Sequence, residues 1–363
     1  MSTDLSDVAT DTTFPPPSLV RARLPRQATL IVGVLALALA VLGGPLLTGA
    51  SWYSVPFVAG LLLVVLLPLW SLQVEGRRAA VDRLVTLLVT YAVTLALVPL
   101  VWVLAYTVIQ GLPAINWAFL TKDQTTTLDP VTFKQMPGAG VLHAIVGTLL
   151  ITLGATIISV PIGLLTAIYL VEYGAKSRMA RIITVLVDVM TGIPSIVAGL
   201  FAVALFTQFG SVGTRIGFMG SVALSLLMIP TVVRSGEEMM RLVPADLREA
   251  SYALGVPKWR TILKVVVPTA FGGILTGVML AVSRVIGETA PLLVAVGTVD
   301  YMNTNLFSGR MQTLPVFIVS KYKQGADLLE LAWGAALILV ILVMVLNLTA
   351  RIIGKIFAPK TGR

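Results

Sequence analysis

Eight stretches of this chain, roughly residues 28–48, 53–72, 84–110, 141–171, 181–208, 217–234, 265–297 and 331–350, are long and apolar enough to cross a lipid bilayer. About 20 apolar residues of helix span the hydrocarbon core, where the backbone must satisfy its own hydrogen bonds. The pattern predicts an all-α polytopic membrane bundle of about eight transmembrane helices. Several stretches exceed one crossing, notably 141–171, and are expected to tilt or to project into the cytoplasm. Only 12% of the 363 residues are charged, whereas a soluble domain would carry roughly 25%. Lipid is therefore the solvent around most of the chain.

Where the charges fall gives an orientation. The 26 Lys and Arg leave a net charge of +9, but they form no stripe with interleaved aromatics, so no nucleic-acid partner is expected. They cluster beside apolar runs. An inside N-terminus puts Arg21, Arg23, Arg26, Arg77, Arg78, Arg83, Lys176, Arg178, Arg181, the 235–264 loop, Arg351, Lys355, Lys360 and Arg363 in the cytoplasm. The opposite side receives few, among them Lys122, Lys134, Arg215, Arg310, Lys321 and Lys323. Positive loops stay inside, so both termini are expected in the cytoplasm.

Residues 1–27 are polar and contain Pro15-Pro16-Pro17; they read as a disordered cytoplasmic tail before an uncleaved first span. Residues 28–80 read as an accessory pair of transmembrane helices without a polar constellation. Residues 81–357 form the main transmembrane domain, and 358–363 a second cytoplasmic tail. The absence of Cys excludes disulfides and thiolate chemistry. The single His, His143, excludes His-rich metal sites and is expected at the external interface. The twelve Met read as core filling.

One polar segment interrupts the apolar pattern on the cytoplasmic side. Pro244-Ala-Asp246 resembles a helix start, with Pro pre-setting the backbone and an acid at the positive end of the dipole. Residues 246–254 then make about two turns. Gly255 sits where a left-handed C-terminal residue belongs, and Pro257 discourages continuation. This predicts a short helix outside the membrane, followed by amphipathic Lys258–Lys264 and re-entry near Val265. Hung between two spans, such a helix could transmit a rigid-body push.

Further along, Arg284 and Glu288 lie inside an apolar stretch. Mid-membrane charges cost roughly 2.5–3.5 kcal/mol each, and at spacing i, i+4 the two would share a helix face. They could form a structural ion pair. Alternatively, the planar fork of Arg284 suits an oxyanion and Glu288 could accept a hydrogen bond from a protonated one. Phosphate keeps a hydroxyl near neutral pH and sulfate does not, so this combination favours phosphate.

Residues 244–268, with Glu249-Ala250, Gly255 and Pro268, resemble the signature loop of ABC-importer permease subunits. The wider set comprises Gly138–Thr148, Pro161-Ile-Gly163, Glu172-Tyr-Gly174, Gly192-Ile-Pro194-Ser195, Gly199 and Ser283–Pro291. In order and spacing it resembles the PstA-type permease family of the phosphate ABC importer, over about residues 84–355. The resemblance implies an ABC permease core whose cytoplasmic coupling helix fits a groove on an ATPase subunit through Glu249, Ala250 and Gly255. It also implicates Arg284 and Glu288 in phosphate passage. Its implied partners are a related PstC-type permease, a homodimeric PstB-type ATPase using ATP and Mg, and an extracytoplasmic PstS-type phosphate-binding protein. Members commonly have six spans, so the first two here are unexplained.

Among other residues, Pro161, Pro194 and Pro230 would kink or break their spans. At Gly192-Ile-Pro194-Ser195 a broken helix could aim backbone N–H groups, with Ser195, at an anion. Asp188 could pair with Arg181 or Arg234. The chain lacks a Gly-x-x-x-x-Gly-Lys-Ser/Thr loop, so it is not expected to be an enzyme or to hold a cofactor of its own. The alternatives are a permease for another small oxyanion such as sulfate or molybdate, and an ion-driven secondary transporter, which would need ionisable groups spread over several spans. An intramembrane protease would need a Ser–His or paired-Asp arrangement that the chain does not offer.

Overall fold

A computed structural model of the chain describes residues 23–25, 27–48, 54–124, 140–174, 177–209, 213–325 and 328–357. The expected C-terminal tail, nearly all of the N-terminal one and residues 125–139 of the first external loop lie outside the described residues. No strand occurs among those described. Two compact units divide at Leu104 and Ala105.

The N-terminal unit holds α1 (Ala28–Thr48), α2 (Val55–Val74) and most of α3 (Arg77–Gly111). α1 and α2 pack through Ala28, Val32 and Leu67. The turn from α2 to α3 passes through Gly76, at φ 93°, and is built around Glu75. Its carboxylate accepts from Arg83 at 2.7 and 2.8 Å, from the Leu24 N–H at 2.8 Å and from Ser71 at 2.7 Å. These bonds, Arg83 foremost, hold the Glu75 carboxyl down to about 2.

In the second unit α4 (Trp117–Thr121) precedes α5 (Leu142–Ile168), which runs on through a π-helical turn, Tyr169–Tyr173. Then come α6 (Arg178–Thr191), α7 (Ser195–Gln208) and α8 (Gly217–Arg241). α9 (Ala245–Ala253) leads to α10 (Lys258–Thr261), a second π turn (Ile262–Val266) and α11 (Val267–Ile286). α12 (Ala290–Ala295), α13 (Leu314–Gln324) and α14 (Leu329–Phe357) complete the chain.

α5 and α8 form the central pair, and small residues let them approach. A Cβ on Gly154 would lie 2.5 Å from Ser221 Oγ, and one on Gly163 2.7 Å from Val232. Ser221 donates to the Ile151 carbonyl at 2.9 Å. In lipid, where apolar surface gains little by pairing with apolar surface, such close packing and interhelical bonding hold helices together. Met219, Met228 and Met311 fill the same core, each at most 1% exposed.

Among the described residues six helices are long and apolar enough to cross a membrane, or seven if one bent pair counts as a span, where the sequence predicts eight; α1 adds a shorter apolar segment, Ala28–Gly43. The expected span 181–208 is the bent pair: α6 and α7 meet at 108°. Pro194 is the reason. Lacking an N–H and extended at φ −57°, ψ 133°, it ends one helix and starts the next. Pro161 and Pro230 do not break α5 and α8. The expected span 265–297 also stops early, at Ile286, before Gly287 and the short α12.

Candidate functional site

α9 lies between the end of α8 and the start of α10, as the sequence predicts. Its last turn closes with the Gly255 N–H on the Tyr252 carbonyl at 2.9 Å and the Val256 N–H on Ser251 at 3.2 Å, with Gly255 at φ 73°. That paired closure needs a left-handed residue. Glu249, Ala250 and Gly255 are exposed, and Leu254 beside them is 83% exposed. The predicted coupling residues therefore share an outward edge with an apolar side chain that the described residues leave uncovered.

The inward side carries residues that sequence reasoning missed. Arg248 donates through Nε and Nη2 to one oxygen of Glu172, at 3.0 and 2.9 Å, and reaches the Val243 and Met240 carbonyls at 2.7 and 2.9 Å. Glu172, in the π turn after α5, keeps only 5% of its side chain exposed. Lys258 donates to the Glu172 carbonyl and sits 4.8 Å over the Tyr173 ring. Ser251 and Thr261 share a buried hydrogen bond of 2.8 Å. α9 is thus clamped to the ends of α5 and α8 and to the helix that begins at Lys258. Glu172 belongs to a recognised motif, but no local pattern announces a partner 76 positions away.

A second network crosses the last turns of α8. Arg234 pairs with Asp188 of α6, as one of the two expected alternatives, and with Glu237 at 2.9 Å. Arg241 reaches the other oxygen of Glu237 at 2.5 Å.

Arg284 occupies the last turn of α11 and is exposed; Glu288 lies beyond the helix and is half-buried. The expected shared helix face therefore does not form, because the helix ends between them. Among the described residues neither side chain makes an ion pair or hydrogen bond, with the other or with Ser195. Ser283, next to Arg284, donates to Asn347 of α14 at 3.1 Å and anchors that turn. Ser195 is the first residue of α7 and half-buried. The two breaks come together one turn further on: a Cβ on Gly199 would lie 2.6 Å from the Pro291 carbonyl oxygen, so α7 and α12 cross there in backbone contact. An unpaired guanidinium at the end of an apolar helix, beside two interrupted helices, is an arrangement able to bind an anion.

At the far end of the unit His143 is 2% exposed, edge-on to Phe317 at 5.7 Å. This corrects its expected interfacial position: the start of α5 is covered by α13. Lys321 of α13 is buried too, 3.8 Å from Asp300, and burial pushes its amine below the usual lysine range.

The model for "Binding-protein-dependent transport system inner membrane component" matches residues 159–363. The phosphate transport system permease protein PstA 1 of Mycobacterium tuberculosis strain H37Rv is 45% identical over 282 residues, 76% of this chain and 88% of its own length. The phosphate transport system permease protein PstA of Yersinia pestis is 39% identical over 269 residues, 72% of this chain and 84% of its own. An inward-facing structure of the MetNI methionine ABC transporter aligns at 19% identity and a TM-score of 0.49, covering 61% of this chain and 95% of its own.

Proposed function

We propose a working mechanism for a chain that belongs to the binding-protein-dependent transport system inner membrane component family and is a permease subunit of a phosphate ABC importer. It forms half of the translocation path, with a related PstC-type permease as the other half. A homodimeric PstB-type ATPase binds ATP and Mg and hydrolyses the nucleotide, and a PstS-type binding protein delivers phosphate from outside. Both termini and α9 face the cytoplasm, in keeping with the Lys and Arg of those loops.

The outward edge of α9, with Glu249, Ala250 and Leu254, enters a groove on the ATPase. Gly255, at φ 73°, lets the chain turn away through a left-handed conformation. Movement of the motor then reaches three helices at once: α5 through Arg248 and Glu172, α8 through Met240 and Val243, and the helix that carries Arg284 through Ser251 and Thr261. Arg284 receives phosphate with its guanidinium fork, Glu288 accepts a hydrogen bond from the phosphate hydroxyl and repels sulfate, and Ser195 offers a hydroxyl and the backbone N–H groups at the start of α7.

The observation that carries this reading is the exposed Arg284, unpaired among the described residues, at the end of a helix whose start is clamped to α9. A cation so placed on a path between apolar helices is stabilised by a passing anion. The test is ATP-driven uptake of labelled phosphate and sulfate by the reconstituted complex. Phosphate is expected to be carried and sulfate excluded; preferential sulfate uptake would overturn the substrate. Arg284→Ala should lose uptake and still assemble, since no protein partner of that side chain is lost among the described residues. Failure to assemble would make Arg284 a structural residue.

A further inference from the structure

A cavity of about 900 Å³ opens at the start of α8, lined among others by Arg215, Val299, Asp300, Phe307 and Arg310. α8 runs 25 residues from here to the approach to α9, about 37 Å at 1.5 Å per residue. The cavity therefore lies on the side of the membrane opposite the coupling helix. α12, Val296 and Gly297 join Thr298 of the lining to the half-buried Glu288; the six residues of α12 rise about 9 Å. We propose that Arg215 and Arg310 form an outer receiving site for free phosphate, one station before Arg284 on the inward path; this rests on the chain acting as a phosphate permease.

The site is built to hold two cations together. Gly297, at φ 79°, has no side chain, and a Cβ there would lie 3.1 Å from Arg215 Nη1 and 3.9 Å from Arg310 Cδ. Both arginine stems thus converge over one glycine. Arg310 is carried on a loop braced by Asn303, whose Nδ2 donates to the Ser308 and Arg310 carbonyls at 2.8 and 2.9 Å. Neither guanidinium forms an ion pair among the described residues. Asp300, the acidic residue of the lining, is paired with Lys321 at 3.8 Å, and Asp123 accepts the Met302 N–H at 3.1 Å. Two adjacent like charges repel until an anion lies between them, and a cleft focuses their field. With two arginines against one carboxylate that also lies beside Lys321, this lining carries a net positive charge and attracts oxyanions; discrimination against sulfate falls to Glu288. A second cationic station also keeps each site weak enough to release its ion to the next.

The test uses the complete importer with its binding protein. Dicarbonyl labelling of arginines, read by peptide mass spectrometry, is followed with added inorganic phosphate in lipid-free detergent and in nanodiscs of anionic or zwitterionic lipid. Phosphate should slow labelling of Arg215 and Arg310 about tenfold, the loss expected for a charge-assisted contact, in detergent and both lipids. Equal protection by chloride at matched ionic strength would reduce the effect to screening and overturn the site. Protection that needs anionic lipid and not phosphate would assign the arginines to headgroups, with the same consequence. In the second arm, the double variant Arg215→Gln, Arg310→Gln should lower initial uptake about tenfold at limiting loaded binding protein, with docking of that protein unchanged. Unchanged uptake overturns the proposal, as does weakened docking, which would give these residues to an acidic surface of the binding protein. If the double variant does not assemble, labelling of the unaltered complex decides. An unaltered complex that carries no phosphate at all would instead refute the permease reading itself, and is thereby told apart.

Discussion

Arg248→Ala removes the clamp that holds α9 against the membrane helices. Four hydrogen bonds to two carbonyls and one carboxylate disappear. Glu172, with 5% of its side chain exposed, is left as a poorly solvated charge, and Arg248 itself is only 18% exposed. Removing one partner of a buried pair costs about 3–5 kcal/mol. Because the pair lies near a helix end within reach of water, the lower figure applies. About 3 kcal/mol shifts the equilibrium between docked and undocked α9 by roughly 150-fold. Hydrogen exchange of the complex should report this as a loss of protection of about that factor at the amides of residues 245–256, with the α5–α8 core unchanged. ATP hydrolysed per phosphate carried should rise in parallel, since the ATPase would then push on a loose helix. Glu172→Gln keeps the shape and a carbonyl acceptor, so its effect should be smaller, about 1–2 kcal/mol. Unaltered α9 protection together with an unaltered ATP-to-phosphate ratio in Arg248→Ala would refute the clamp.

Gly255→Val forces a β-branched residue to φ 73° and should cost about 1–2 kcal/mol, read as weaker ATPase binding; Gly255→Asn should lose less, because Asn adopts the left-handed conformation more readily. Gly199→Val drives a Cβ to within 2.6 Å of the Pro291 carbonyl; separating α7 from α12 should cost about 1–3 kcal/mol and lower uptake while ATPase binding is retained, and normal uptake would show that the crossing tolerates expansion. The Glu75 carboxyl has a depressed folded pKa, so the stability it contributes is present above its ordinary value of 4.5 and is lost as pH falls towards about 2. Exchange protection of α1 and α2 should fall through that window, and Glu75→Gln should abolish the dependence while lowering protection at neutral pH.

What the sequence determined by itself was whatever depends on local composition and spacing. Apolar runs announced membrane helices because the bilayer imposes one length and one backbone solution. Gly255 announced the end of α9 because few other residues adopt its backbone angles. The sequence also placed charges at 284 and 288 in an apolar run, but not their relation. Only tertiary structure decided that α11 ends between them, that Pro194 breaks its span while Pro161 and Pro230 do not, and that His143 is covered by α13. The same holds for Arg248 with Glu172, and for the convergence of Arg215 and Arg310 over Gly297. The reason is one of range. Helix length and turn chemistry are set by residues a few positions apart, whereas ion-pair partners, tolerated prolines and charge clusters depend on which helices pack together, and that packing brings together residues tens of positions apart.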